Sequence, residues 1–585
     1  MSTSTAKATT VLLDPAAEIG RRISDAFKSI GDSVSTADPV VRRSRRCDYQ
    51  VNGIIGLARE LGTPAADLAR EVMKMTDLSD IAMTVDVVDT GFINITLNDS
   101  YLSGTIARMR EDPRLGTAVS ASPQTVVVDY SHPNVAKEMH VGHLRTTIIG
   151  DVIVRLMERA GNTVVRENHI GDWGTPFGML VEHLIDIGEN EATQRLSVGE
   201  LSDFYREART KFDNDSEFAD RARRRVVTLQ SGDEESLRLW RVLVDQSATY
   251  FQLVYDMLGV LLTPKDIRGE SAYNEMLPAL VPDLRKAGIL VESDGAQCVF
   301  PEGFYSRTGA PLPLIVQKSD GGYGYAATDL ATIRDRIDRI GAATLLYVVG
   351  APQHDHLAMC FAVARMAGWL PPGTEAIHIP FGTVLGSDKK PYRTRSGETV
   401  KLIDLLNEAI ARAARLVAEK SPHLDEQEQQ EVAKAVGIGA VKYADLSVDR
   451  VRDYIFDWER MLSFDGNTGP YLQYAYTRAR SLLRKSGETS FASPVSASHP
   501  KERALCLDLL NYGTEVSETT ATYSPHKLCA YLHQLASDFG AFYEACPVLT
   551  AEPEVRASRL ALTELVADVF RDGLSLLGLD TPERL

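Results

Sequence analysis

Cysteine is scarce in this chain, six residues among 585, and tryptophan is scarcer at four. Cys47, Cys298, Cys360, Cys506, Cys529 and Cys546 are scattered, with no C-x-x-C pair and no histidine beside them at zinc-ligand spacing. A disulfide framework and a structural zinc are therefore not expected, and the cysteines read as reduced packing residues. Apolar runs are short as well. Nothing reaches the roughly 18 uninterrupted apolar residues that a membrane-spanning helix needs. The first residues lack the apolar core of a secretory signal and carry Asp14 and Glu18. A cytosolic protein that does not engage membranes is expected. No repeat with a period of about 20–50 residues is visible, which disfavours solenoids and propellers. Positive charge is in deficit too: 63 Lys and Arg stand against 80 Asp and Glu, a formal net charge of −17. Taken as one number, that balance argues against a polyanionic partner, because phosphate binding needs cations.

What is present is the profile of a soluble globular chain, 44 % hydrophobic and 24 % charged. Its length exceeds the roughly 250–300 residues at which a single core stops growing, so several domains are expected. Residues 1–15 read as a flexible N-terminus. Over 16–120, helical periodicity (Ile54, Ile55, Leu57, Ala58, Leu61) gives way to alternation at 81–88 and 91–97, a small α+β unit. Residues 121–400 alternate differently. Short apolar strands at 125–130, 163–166, 344–350 and 376–381 are separated by helical patterns at 143–159 and about 355–368. Strand, helix, strand at this spacing means parallel strands with crossovers, hence a doubly wound, Rossmann-like α/β domain. A charged helical stretch at about 198–262 reads as an insertion between its halves. From 401 to 585 the pattern is helical, with amphipathic stretches at 402–420, 428–446, 470–485, 500–519, 525–545 and 554–577, a separate all-α domain.

The densest chemistry is DYSHPNVAKEMHVGH over residues 129–143, between the first parallel strand and its helix. Ligands of open α/β sheets bind there, beyond the carboxyl ends of strands and against a helix N-terminus. His140 and His143 are three residues apart and share a helix face. Gly142 between them has no Cβ, which would let a base or ribose approach the backbone closely. Together these point to a nucleotide site.

The His-x-Gly-His string in this position resembles the HIGH motif of the class I aminoacyl-tRNA synthetases. The longer stretches at 131–150 and 167–178 (ENHIGDWGTPFG) resemble the arginyl-tRNA synthetases in particular. So do GESAYN at 269–274, YAATDL at 325–330, QHDH at 353–356, FDGNTGPYLQY at 464–474 and the closing 576–585. The resemblance implies that the carboxylate of L-arginine attacks the α-phosphate of ATP, giving arginyl-adenylate and pyrophosphate. The arginyl group then passes to the 3′-terminal ribose of tRNA(Arg). Such chemistry rests on positioning and on cations for the triphosphate, with Mg2+ accompanying ATP.

By that resemblance His140, Gly142 and His143 bind ATP, with Lys137 a further cation beside them. The basic loop at 385–397 (LGSDKKPYRTRSG) stands where the family has its KMSKS loop, with Lys389, Lys390, Arg393 and Arg395 as its cations. It matches that motif only loosely, and the usual second lysine is replaced by Thr394 or Arg395. A guanidinium is a planar fork of donors best held by carboxylates. Tyr325 and Asp329 are four apart on a helical pattern, and Asp129 could supply a second acceptor. Asp129, Asn134, Tyr325, Asp329 and Gln353 match arginine-binding positions, with Asn134 and Gln353 toward the α-amino and α-carboxylate end.

Two local charge surpluses run against the net balance. Residues 20–46 hold seven Lys or Arg against three acids, and 476–485 hold four with no acid, beside Tyr471, Tyr474 and Tyr476. Basic side chains interleaved with aromatics can bind backbone phosphate and stack on unpaired bases. The family's N-terminal domain meets the tRNA elbow and its helical C-terminal domain reads the anticodon, which implies tRNA contacts at Arg42, Arg43, Arg45, Arg46, Tyr474 and Arg478. A monomer is expected, since no extra interface module is visible.

Overall fold

The computed structural model describes residues 13–30, 35–44, 46–197, 201–393 and 399–585. Most of the tail expected at 1–15, together with Arg45, Thr394 and Arg395, lies outside the described residues.

The central sheet is built from four short strands that are apolar on both faces, the composition of a sheet covered twice. Its order is Glu375–Phe381, Thr344–Gly350, Thr125–Asp129, Thr163–Glu167, all parallel. Alternation along each strand divides two cores. Val126, Val128, Leu346, Val348 and Ile379 face the larger core shared with the signature helix Val141–Arg159 and the helical domain. Val127, Leu345 and Tyr347 face a second core, closed by helices Leu277–Lys286, Tyr325–Asp338 and His354–Met366. The strand order reverses between Thr125–Asp129 and Thr344–Gly350, and the helices that follow these two strands go to opposite faces. A crevice opens beyond their carboxyl ends for that reason.

Gly150 sets how closely the signature helix lies on the sheet. A Cβ there would stand 2.4 Å from the Tyr130 ring, so only glycine permits this approach.

The N-terminal unit is a four-stranded antiparallel sheet, ordered Val41–Arg43, Tyr49–Val51, Ile93–Leu97, Ala82–Val87, packed with four helices between Pro15 and Glu111. Beyond residue 402 the chain is almost wholly helical. The single helix expected over 500–519 is two, Pro500–Leu510 and Tyr512–Thr522, which meet at Asn511. The turn there buries Tyr512, whose hydroxyl donates to Asp572 on the last long helix. Helical structure also begins upstream of the expected insertion, at Pro176–Ile187 and Glu189–Ser197. A small antiparallel sheet, Val291–Ser293, Ala296–Val299 and Leu314–Gln317, was not foreseen from the pattern. Among the described residues, no helix is long and apolar enough to cross a membrane.

Candidate active site

The loop joining Asp129 to the signature helix is strained, with Ser131, His132 and Ala136 all at positive φ (83°, 52° and 59°). Non-glycine residues in that region cost of order 1 kcal/mol or more each and persist where surrounding contacts hold them. Here Ser131 accepts from Thr147 and shares a hydrogen bond with Tyr255, and Ser247 accepts from the Ala136 amide. The loop ends at His140, the N-cap of the signature helix.

The two signature histidines are locked by backbone donors. Nδ1 of His140 accepts from the Gly142 amide at 3.0 Å, and Nδ1 of His143 accepts from the His140 amide at 3.1 Å. Their ring centroids are 4.0 Å apart. Because both Nδ1 atoms are acceptors, each ring in its neutral form carries its proton on Nε2. Burial, with His140 and His132 adding to it, pushes His143 down to about 3. Burial and Lys137 lower His140 as well. The pair is therefore neutral near pH 7, a pair of Nε2–H donors rather than cations.

Gly142 has a reason different from the expected one. A Cβ there would meet Cε1 of His140 at 2.7 Å, so the open space beside Gly142 is filled by the capping ring itself.

A cleft of about 250 Å³ is lined by His140, Gly142 and Arg145 on one side and Pro391, Tyr392 and Arg393 on the other, with Gly350, Pro352 and Phe381–Val384 along its floor. The lining is mainly apolar, and its charged side chains, Arg145 and Arg393, are basic. No carboxylate is among these lining residues. Arg145, in the signature helix, is buried against Asp445 at 3.1 Å and the Arg452 carbonyl. The basic loop is tied at both described ends: Leu385 pairs with Pro391 and Arg393 with Thr399, and His140 pairs with Lys401 just beyond. Lys389, at φ 59°, and Lys390 are exposed. Lys137 is also exposed, its Nζ 4.3 Å from the centre of the Tyr205 ring of the insertion.

Tyr325 and Asp329 lie on the first turns of the helix Tyr325–Asp338. Tyr325 is 78 % exposed, so its ring is free to close on a ligand. Asp329 is 2.5 Å from Nε2 of His356. That contact raises the His356 ring. Asn134 and Gln353 are both exposed; Asn134 bridges to Gly171, where a Cβ would strike its Oδ1 at 2.4 Å.

Asp129 is placed otherwise than expected. It is buried, with one oxygen 2.7 Å from His132 Nε2 and the other 2.8 Å from Arg336. Burial alone would raise its carboxyl, but Arg336 and His132 hold it far below the usual range. Arg336 is fully buried, also bonds Glu167 at 2.7 Å, and its guanidinium lies 4.9 Å from the centre of the Tyr347 ring. Both Asp129 oxygens are thus engaged by internal partners.

A carboxyl that the motif GESAYN contained but to which no role was given is the better candidate. Glu270 opens a short 3-10 turn whose amide bonds to Ile170. Burial pushes its carboxyl up to about 7, and Asp172 and Asp329 add like charge. A cluster of acids short of a cation is what a guanidinium site looks like before it is filled. The signal in the sequence was the acid itself inside a family-like string, but its nearness to Asp329 depends on the fold.

One reading of the cysteines is corrected. Cys360 follows His356 by one helical turn, and its Sγ is 3.7 Å from Nε2 of that ring. Cys546 likewise lies 3.3 Å from Nδ1 of His499. All six cysteines are free thiols.

The basic patches are thinner than counted. Arg21, Arg22 and Lys28 pair with Glu18, Asp25 and Asp80, and Arg43 pairs with Asp508 of the helical domain at 3.0 Å. Arg480 and Arg484 both reach Glu583 near the C-terminus. Arg42 and Arg46 stay exposed. Arg478 lies 4.8 Å from the centre of the Tyr474 ring and 5.0 Å from that of Tyr543.

A parallel α/β sheet carrying a His-x-Gly-His turn at its reversal point, faced by a basic loop, defines a class I aminoacyl-tRNA synthetase, and residues 107–458 match the family of tRNA synthetases class I (R), catalytic domain. Residues 17–97 match the arginyl tRNA synthetase N-terminal domain, and 472–585 the DALR anticodon binding domain. The arginine–tRNA ligase of Thermobifida fusca is 50 % identical over 98 % of this chain and 100 % of its own. That of Streptomyces avermitilis is 48 % identical over 97 % and 99 %. The crystal structure of arginyl-tRNA synthetase from Plasmodium falciparum superposes with a TM-score of 0.85 at 27 % identity, covering 99 % of this chain and 100 % of that one. The Thermus thermophilus arginyl-tRNA synthetase gives 0.82 at 26 %, covering 98 % and 100 %. The chain belongs to the arginyl-tRNA synthetases.

Proposed function

We propose that this chain activates L-arginine with ATP and charges tRNA(Arg), with roles for its residues as follows. The adenine lies on the apolar floor formed by Gly350, Pro352 and Phe381–Val384. The Nε2–H groups of His140 and His143 donate to phosphate oxygens while the arginine carboxylate attacks the α-phosphorus. The bond from that phosphorus to the bridging oxygen breaks, and pyrophosphate leaves. Because both histidines are neutral, the growing negative charge is met by Lys137, Lys389, Lys390, Arg393 and Arg395. Mg2+ arrives with the nucleotide, held by its phosphates and water, which suits a cleft whose lining residues offer no carboxylate.

Asp329 and Glu270 hold the guanidinium, Tyr325 closes over it, and Asn134 and Gln353 hold the α-amino and α-carboxylate groups. The tRNA is met by Arg42 and Arg46 at the N-terminal unit and by the Tyr474, Arg478, Tyr543 cluster of the helical domain. The observation that carries the reading is the locked His140 ring lining one cleft with Arg393, with the equally locked His143 ring 4.0 Å beside it. The protein acts in the cytosol as a monomer. Aminoacylation of tRNA(Arg) with labelled arginine is the direct test. Charging that fails with arginine while tRNA still binds overturns the reading, and light scattering on the purified chain tests the monomer.

A further inference from the structure

Three ligand atoms meet at the edge of the guanidinium pocket: a carboxylate oxygen of Asp329, Nε2 of His356 and Sγ of Cys360, all within 4.8 Å of one another. They come from two packed helices, and His356 and Cys360 are one turn apart on the second. Nε2 and Sγ are 3.7 Å apart. A tetrahedral zinc with ordinary bond lengths would hold an imidazole nitrogen and a thiolate about 3.6 Å apart. The Asp329 oxygen, now 2.5 Å from Nε2, would need to withdraw by about 1 Å to share the ion. The side chains of Asp329 and His356 are 24 % and 31 % exposed, whereas Cys360 is buried. An ion entering from solvent past the partly exposed Asp329 and His356 therefore meets three protein ligands and keeps an open fourth position.

We propose that this cluster binds a thiophilic divalent cation, Zn2+ or Cd2+, and that the ion and arginine exclude each other through Asp329. The exclusion rests on the assignment of Asp329 to the guanidinium; the metal site rests on the three ligand atoms alone. On binding, the Cys360 S–H bond breaks and its proton goes to solvent; Nε2 of His356 gives up its proton too, to solvent from the imidazolium or to Nδ1 of the same ring when it is neutral, so affinity rises with pH. A thiolate and an imidazole select against Mg2+, so the ion carried by ATP does not compete.

Titration of the full chain with Co2+, without substrates, is expected to give a thiolate-to-cobalt charge-transfer band at one equivalent. The band is expected to vanish in Cys360→Ser and persist in Cys546→Ser, the control for the other cysteine–histidine pair. Absence of the band in the native chain, or its survival in Cys360→Ser, overturns the site. Saturating L-arginine is expected to weaken Co2+ binding at least tenfold, and unchanged Co2+ affinity overturns the exclusion. Inhibition of charging by Zn2+ is expected to need at least tenfold more metal in Cys360→Ser, and equal sensitivity counts against the site. Failure of the arginine assignment reads differently: Asp329→Asn would then bind arginine normally in metal-free buffer while the Co2+ band of the native chain remained.

Discussion

Lowering the pH from 8 to 6 is expected to weaken arginine binding through Glu270. Burial, with Asp172 and Asp329 beside it, holds this carboxyl at about 7 against an ordinary 4.5. The sign follows from the raised value. The free enzyme carries a proton on Glu270 below pH 7, and a protonated acid offers a guanidinium no charge. Binding of the cation restores the ionised form and draws the value back toward 4.5, so binding expels a proton across the window between the two. At pH 8 about one site in ten is protonated, and at pH 6 about ten in eleven, which makes the apparent affinity fall about tenfold, or ~1.4 kcal/mol. The full window of 2.5 units corresponds to ~3.4 kcal/mol, reached only near pH 4.5. The assay is the KM for arginine in tRNA-supported pyrophosphate exchange at fixed ionic strength, with the KM for ATP as the internal control. Protonation of His356, raised by Asp329, would act in the same direction, so Glu270→Gln decides the cause. That variant is expected to bind arginine weakly and with little pH dependence. A flat profile in the native enzyme, or a tenfold slope that survives in Glu270→Gln, refutes the argument.

Four further outcomes are expected. Asp329→Asn should raise the KM for arginine about 10–150-fold, the loss of one charge-assisted contact of ~1.5–3 kcal/mol, with the KM for ATP within about twofold; equal losses in both would count against the pocket. Gly150→Ala, whose Cβ would stand 2.4 Å from Tyr130, should lower stability by ~1–3 kcal/mol in urea denaturation. Arg336→Met leaves buried Asp129 with His132 and Glu167 with Arg339 in place of the shared guanidinium and should cost ~3–5 kcal/mol by the same measurement. Arg478→Ala should weaken tRNA binding and reduce the slope of log K against log salt by about one; an unchanged slope would remove this arginine from the phosphate contacts.

Periodicity made the parallel strands and most long helices legible, because those signals are local. The residues 125–129, 163–167 and 344–350 stand where alternation and apolar runs put them. The small sheet formed by 291–293, 296–299 and 314–317 escaped, since its strands are three or four residues long and most of their positions are solvated or mixed. The break at Asn511 escaped for another reason: Tyr512 is drawn inward by Asp572, 60 residues away, and no local pattern reports that. The candidate site divides in the same manner. His140, His143 and Gly142 were readable from one short string, whereas the fate of Asp129 depends on Arg336, which lies more than 200 positions later. His356 and Cys360 were one helical turn apart in plain sequence, but only their shared contact with Asp329 turns the spacing into a cluster.

Charge behaves least locally of all. The surplus counted over 476–485 is cut by Glu583, which takes both Arg480 and Arg484 and also receives the Tyr476 hydroxyl. The surplus over 20–46 is spent within its own helix, on Asp80, and on docking Arg43 against Asp508. What survives is therefore a small set of cations set beside aromatic rings, Arg478 between Tyr474 and Tyr543 being the clearest. The same sorting operates at the nucleotide. Neutral histidines are fixed by backbone donors, and positive charge is carried separately by the exposed Lys137, Lys389 and Lys390. The two imidazole donors sit at a helix N-terminus, and the cations near them sit on loops. A chain with a net charge of −17 can handle two polyanions on these terms, because binding depends on where cations are clustered and not on their sum over the chain.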